Sequence, residues 1–337
     1  MDSITHVVFG AVSGELIAGK KIGKQAMAWG ALANSLPDID VISNLWVTHV
    51  ESLLTHRGIT HSFIFCICVS FFLALLLSRF VQVEKMKFSD WLMIFLTGTF
   101  VHIILDSMTA YGTGVFEPFS HLRISLNNIF VADPFYTISL LVGTIALLIV
   151  RNHSFSRPRW AAGALIISTL YLCYTFYNKS KADYYFQTSL KAQHIETEKY
   201  FSTPTPLNNW LWYAIATTQD SVYIGYFSMF EKPKSVQFNA LPKNRKLIDA
   251  IEDKSELNLL LRFSQDYYVI REQHDTLVFC DARFGQIGGW EKPDAPFVFR
   301  FNMTKGFDNS MVIQQGRFEA SSKDAIKSLI KRIFYYP

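Results

Sequence analysis

Residues 63–83 read FIFCICVSFFLALLLSRFVQV, and Arg79 is the only charge among them. A helix of that length and apolarity crosses the roughly 30 Å hydrocarbon core of a bilayer, so the chain is expected to be integral to a membrane. Working outward, 160–176 is a second such segment. The shorter runs 91–105 and 135–150 just span where the bilayer thins or their polar ends lie in the interface. Upstream, 4–18 and 25–36 are rich in Ala and Gly, which suits two closely packed helices joined by a tight turn at 19–23. Past residue 180 the pattern changes. There 221–227, 267–270, 277–279 and 297–301 read as strands, and 246–261 and 322–334 as helices. The expected fold class is mainly α: a polytopic helical membrane domain (residues 1–178) followed by a soluble α+β domain (179–337).

Composition agrees with that reading. The 337 residues are 50% hydrophobic and 15% aromatic, with a mean hydropathy of +0.17. The net charge is only +4, and Lys and Arg fall in short clusters, so no nucleic-acid partner is expected. Cys66, Cys68 and Cys173 lie in apolar segments and Cys280 stands alone in the polar half, which excludes a disulfide framework or a paired-cysteine zinc site. Asp2 and His6 occupy the place of a basic leader region, so the first segment is expected to stay in the mature protein. With the six segments antiparallel, Lys20, Lys21, Lys24, Arg79, Lys85, Lys87, Arg151, Arg157 and Arg159 share one side. The loops 37–62 and 107–134 on the other side carry only Arg57 and Arg123. The positive-inside rule then puts the first side in the cytoplasm, and the expected location is a multi-pass protein of the cell (inner) membrane with its N-terminus and residues 179–337 outside.

The ionisable residues of the apolar half collect on the side without the lysines. His6 begins the first helix, Asp38 and Asp40 close the second, and His56 and His61 precede the third. His102 and Asp106 end the fourth, and Asp133 stands before the fifth. Imidazole and carboxylate suit zinc, manganese or iron, and His102 and Asp106, four apart, share a helix face. His6, Asp38, Asp40, His56, His61, His102 and Asp106 are therefore the candidate metal ligands. Asp40, Arg57 and Asp133 are candidate catalytic groups, with Arg57 suited to neutralising a phosphate or carboxylate of the substrate. The loop Thr109, Tyr111, Gly112 and Thr113 is placed to line the pocket. His49 and His121 are further possible ligands without a spacing argument, and His153 reads as a surface residue.

These residues resemble the YdjM-like family of inner-membrane-associated metal-dependent hydrolases. The matching runs are Thr5-His6 with Gly10, Pro37-Asp38-Ile39-Asp40, His56-Arg57-Gly58-x-Thr60-His61-Ser62, His102-x-x-x-Asp106 with Tyr111-Gly112-Thr113, and Asp133-Pro134, spread over residues 1–150. Pro204-Thr205-Pro206 with Trp210, and Asp281-Ala282-Arg283-Phe284-Gly285, resemble motifs of its longer members. More distantly the family is similar to zinc-dependent phospholipase C, whose sites include a His-x-x-x-Asp pair. The chain lacks a second helix of the His-x-x-x-Glu kind, so one or two ions are expected and not three.

The function expected is thus a membrane-bound metal-dependent hydrolase, phosphodiesterase- or phospholipase-like. It would use a divalent ion, zinc first, on a phosphoester of a lipid or lipid-linked substrate at the outer membrane face. The alternatives are a metal or proton transporter, and a non-catalytic membrane scaffold with a structural metal. A transporter should hold its ligands near the bilayer midplane on broken helices, whereas these lie at segment ends.

Overall fold

The computed structural model describes residues 1–81, 86–231, 235–251, 254–273, 276–303, 312–313 and 323–335. Lys85 and Ser322, named above in a basic turn and a helix, fall outside the described residues. The chain divides into two compact units: residues 1–45, 55–176 and 206–208 form the first, and 46–54, 177–205 and 209–337 the second.

In the first unit, helix α1 (Ser3–Ile22) is capped by Asp2 and runs back along α2 (Gln25–Ser35). The Ala and Gly residues permit the contact. A Cβ added at Gly10 would stand 2.3 Å from the Gly30 carbonyl oxygen, and one at Gly14 would stand 2.2 Å from that of Ala26. A 3-10 segment, Leu36–Leu45, follows, then the short helix α3 (His49–Thr55), which apart from Thr55 belongs to the second unit, and a 3-10 turn at Ile59–His61. Neither of the first two was evident in what reads as a loop, because each is too short for apolar periodicity. Next come α4 (Phe63–Phe80), α5 (Phe88–Ser107), α6 (Pro134–Ile149) and α7 (Arg157–Ala192), the last passing into the second unit at residue 177. Among the described residues α4, α5 and α7 are long and apolar enough to cross a membrane, and α6 is a shorter apolar helix. Helix α5 exceeds the expected 91–105 by three residues at its start and two at its end, since its polar ends still continue the backbone ladder. Helix α7 runs on to Ala192 instead of ending near 176, so the expected boundary at 178/179 falls inside a continuous helix.

One end of this unit gathers the basic turns. Lys21 Nζ lies 2.6 Å from Asp90 Oδ2 at the start of α5, and the Lys24 backbone N–H donates to Asn152 at 3.2 Å. His6 in the first turns of α1, and His102 and Asp106 in the last turns of α5, belong to the opposite end.

The second unit contains two four-stranded antiparallel sheets in sequential order. The first holds β1 (Lys199–Pro204), β2 (Leu211–Thr217), β3 (Ser221–Ser228) and β4 (Phe238–Pro242); the second holds β5 (Tyr268–Gln273), β6 (Thr276–Gln286), β7 (Phe297–Met303) and β8 (Val312–Ile313). The expected helix at 246–261 is a correction. A 3-10 turn, Arg245–Ala250, ends where Ile251 becomes extended, and α8 occupies Ser255–Ser264. Helix α9 (Lys323–Phe334) closes the chain. Residues 46–54 join this unit through Val50, which packs with Leu260, Ile270 and Phe279. Asp281 and Arg283 are buried and paired at 2.6 Å, and the Arg283 guanidinium lies 4.7 Å from the centre of the Phe263 ring.

Candidate metal centre

Four ligand atoms converge at the end of α5: Asp38 Oδ1, His61 Nε2, His102 Nε2 and Asp106 Oδ2, all within 4.8 Å of one another. The two imidazole nitrogens are 3.1 Å apart. Asp106 Oδ2 is 3.3 Å from His61 and 3.5 Å from His102, and Asp38 Oδ1 is 3.5 Å from each. For a four-coordinate ion with bonds of about 2.0–2.1 Å, tetrahedral ligand edges are about 3.3–3.4 Å. Five of the six edges, at 3.1–3.5 Å, already lie close to that spacing.

The proton positions follow from the outer partners. His102 Nδ1 is 2.5 Å from the Asn34 backbone oxygen, which can only accept, so Nδ1 carries the hydrogen and Nε2 presents a lone pair. His61 Nδ1 faces Asp40 Oδ2 at 3.3 Å and the Thr60 hydroxyl at 3.1 Å, and the hydroxyl donates in turn to Asp40 at 3.1 Å. His61 Nδ1 therefore carries a hydrogen too. Two lone pairs face each other at 3.1 Å, an arrangement that is stable only with a cation between them. Without a metal that cation is a proton. Burial by itself would lower the His61 pKa, but the surrounding carboxylates of Asp106, Asp38 and Asp40 outweigh it and push the group up to about 10. Asp106 Oδ2 points the same way, being buried without a hydrogen-bond partner.

The other candidates stand around this core. His6 is not one of the converging ligands: its Nε2 lies 3.1 Å from Asp106 Oδ1, and its ring stacks on His102 with centroids 3.7 Å apart. The Met1 amino group also contacts Asp106 Oδ1. Asp40 works behind the ligands, its Oδ2 accepting the Arg57 backbone N–H at 2.9 Å and its Oδ1 lying 3.0 Å from His56 Nδ1. Asp38, Asp40 and His56 form a second convergent group. Arg57 turns inward, with φ +59°. Its Nη1 donates to the Thr109 hydroxyl at 2.7 Å, and its Nε is 2.9 Å from Asp106 Oδ2 as a charge contact without an aligned hydrogen bond. Tyr111 lies under that guanidinium, 5.0 Å from the ring centre. Asp133 is not among the grouped residues. Its carboxylate caps α6 through the Phe135 and Tyr136 backbone N–H groups and accepts from the Tyr171 hydroxyl at 2.9 Å. His121 pairs with Glu117 at 2.9 Å, and His153 is exposed in the turn before α7.

The sequence reading missed Asn34, whose carbonyl orients His102 and whose amide donates to the His6 backbone oxygen at 2.6 Å. An uncompensated Asn in the Ala-rich run 25–36 was the available signal. Thr60 was noticed only as part of a motif.

Residues 1–182 match the YdjM inner membrane protein family. The chain belongs to that family. Among similar proteins, Bacillus subtilis (strain 168) has "Uncharacterized protein YfhP", 26% identical over 316 residues, 88% of this chain and 90% of that protein. Escherichia coli (strain K12) has "Inner membrane protein YbcI", 31% identical over 113 residues, 33% of this chain and 63% of that protein. No solved structure matches. Each of the site residues described here lies inside the segment that defines this YdjM family member.

Proposed function

We propose that the protein is a membrane-bound metal-dependent hydrolase that holds one zinc ion through Asp38, His61, His102 and Asp106. Its substrate is a phosphoester of a lipid or lipid-linked compound at the outer membrane face. The observation that carries this reading is the pair of imidazole lone pairs 3.1 Å apart beside two carboxylate oxygens. A bound zinc ion supplies Lewis acidity, activating water and polarising the oxygen of the ester under attack. The chain's own groups prepare that chemistry. Asn34 and Asp40 hold the two imidazoles in the ligating tautomer, and Arg57 balances the charge of Asp106. Asp38, 25% exposed at its side chain, is the ligand on the open side of the cluster. One ion is favoured over two because both oxygens of Asp40 already face donors.

A structural ion in a non-catalytic scaffold is the second reading, favoured by the near-complete burial of His61, His102 and Asp106. Metal analysis of the purified protein, beside hydrolysis of a generic phosphodiester, separates the two. Metal with turnover supports the hydrolase; metal without turnover on any phosphoester supports the scaffold. Absence of metal sinks both. Cysteine labelling at Lys21 and Asn239 tests the orientation, with cytoplasmic and outer accessibility expected respectively.

A further inference from the structure

We infer that the 3-10 segment Leu36–Leu45 dips its outer face into the bilayer and admits a lipid headgroup to the cluster sideways from the membrane. The route of access rests on the hydrolase reading; the membrane contact does not. With three residues per turn, Pro37, Asp40 and Ser43 fall on one face, and these are the segment's buried residues. Ile39, Val41, Ile42 and Leu45 are turned outward, 49%, 54%, 50% and 83% exposed. One segment thus presents Asp40 inward and four large aliphatic side chains outward, with Asp38 at the edge between the two faces. No charged residue stands between Asp40 and His49. Ile59, in the turn that holds His61, and Phe119, in the loop after α5, are also exposed, 56% and 82%.

The level of these side chains identifies what covers them. His61 stands two residues before the candidate span α4, and Asp106 is the penultimate residue of the candidate span α5. The cluster therefore lies where two spans end. The turn that carries Ile59 leads through Ser62 directly into α4, whose exposed apolar residues begin at Ile64. A large exposed apolar patch continuous with a lipid-facing helix marks a membrane contact. The substrate class that fits has an anionic head for the metal and acyl chains for the aliphatic face.

The test uses the full chain in lipid nanodiscs, with Cys68→Ala and Cys173→Ala as background and an environment-sensitive fluorophore at Ile42→Cys or Gln219→Cys. The Ile42 label should be quenched by doxyl lipids and shielded from iodide, and the Gln219 label should show the reverse. Iodide quenching of both alike overturns the membrane contact. In a second arm, the Ile42→Asn/Leu45→Asn variant should hydrolyse a long-chain phospholipid in the nanodisc at least tenfold more slowly. Its bound metal and its hydrolysis of bis(p-nitrophenyl) phosphate should be unchanged. Equal loss on both substrates, or loss on neither, overturns the sideways route. If the unsubstituted chain hydrolyses neither substrate, the hydrolase reading fails, and the quenching result still decides the contact.

Discussion

Replacing Asp40 by Asn tests whether the residue orients a ligand or is one. Asp40 is ionised at neutral pH: burial alone would raise its pKa, but hydrogen bonds with His56 and His61 hold the carboxyl well below the usual range. Its oxygens face donors on Arg57, Thr60 and His61 on one side and His56 on the other. Asn keeps the shape and one acceptor, yet turns an N–H₂ toward groups that themselves donate and removes the charge that favours the Nδ1–H tautomer of His61. Loss of a carboxylate that orients a histidine ligand typically costs about 10–100-fold in metal affinity, or about 1.4–2.8 kcal/mol. Competition titration of the purified protein against a chelator measures this, with circular dichroism as the control for folding. Asp40→Asn should bind metal more weakly within that window, whereas His102→Ala should be empty. A folded Asp40→Asn as empty as His102→Ala would make Asp40 a direct ligand. Native affinity would remove it from the centre altogether.

His102→Ala and Asp106→Asn should each lose bound metal and hydrolysis while still inserting in the membrane, and His153→Ala, exposed before α7, should lose neither; metal analysis of membrane-extracted variants decides. Metal affinity should rise about tenfold per pH unit from pH 6 to 8, because binding displaces the proton that His61 holds up to about 10; a flat titration would exclude His61 as a ligand. The same shift stabilises the metal-free fold fully below pH 6.5, and that contribution is lost as pH rises through about 10, so melting temperature without metal should fall over that range. Arg283→Ala should cost about 3–5 kcal/mol, since it leaves Asp281 buried and unpaired, and it should reduce folded yield more than activity per folded molecule.

The first unit was legible where residue type and spacing act locally. Apolar length marks the spans, Ala and Gly mark the α1–α2 contact, and His102-x-x-x-Asp106 puts two candidate ligands on one helix face. Residues distant in sequence were placed at one end by alternation of helices alone, and convergence of Asp38 and His61 on α5 follows from that. What did not show is what depends on three-dimensional hydrogen bonding. Nothing in the order of residues tells that Asp40 stands behind His61 while Asp38 stands in front, or that His6 stacks on His102 instead of joining the convergent group. Asp133 shows the same limit, because helix capping and catalysis both use a carboxylate just before a helix and the sequence does not tell the two apart. Strand β2 was overlooked for another reason: all of its residues are buried, so it lacks the alternation that reveals a strand.

The buried pair Glu15–Arg157 supplies the contrast by which the metal centre is best judged. It too is a buried charge cluster in the helical unit, at the end with the basic turns, and it too does not show in the sequence, where Arg157 counts only as one of the basic residues expected on the cytoplasmic side. There the guanidinium donates through Nε at 2.8 Å and Nη2 at 2.5 Å to the two carboxylate oxygens of Glu15, and Nη1 donates to the carbonyls of Leu147 and Val150 at 2.7 and 2.9 Å. Every charge meets its complement within the chain. A buried ion pair satisfied in this way ties α1 to the start of α7 and the end of α6, and needs no ligand to explain it. The opposite end lacks that closure. Asp106 Oδ2 has no hydrogen bond, the Arg57 Nε beside it is unaligned, and two imidazole lone pairs oppose each other. Since buried polar groups left unmatched destabilise a fold, a site that retains several of them at one point is accounted for by a cation that completes it. The same fold thus shows what a purely structural charge cluster looks like, and the cluster at the end of α5 differs from it at each of these atoms.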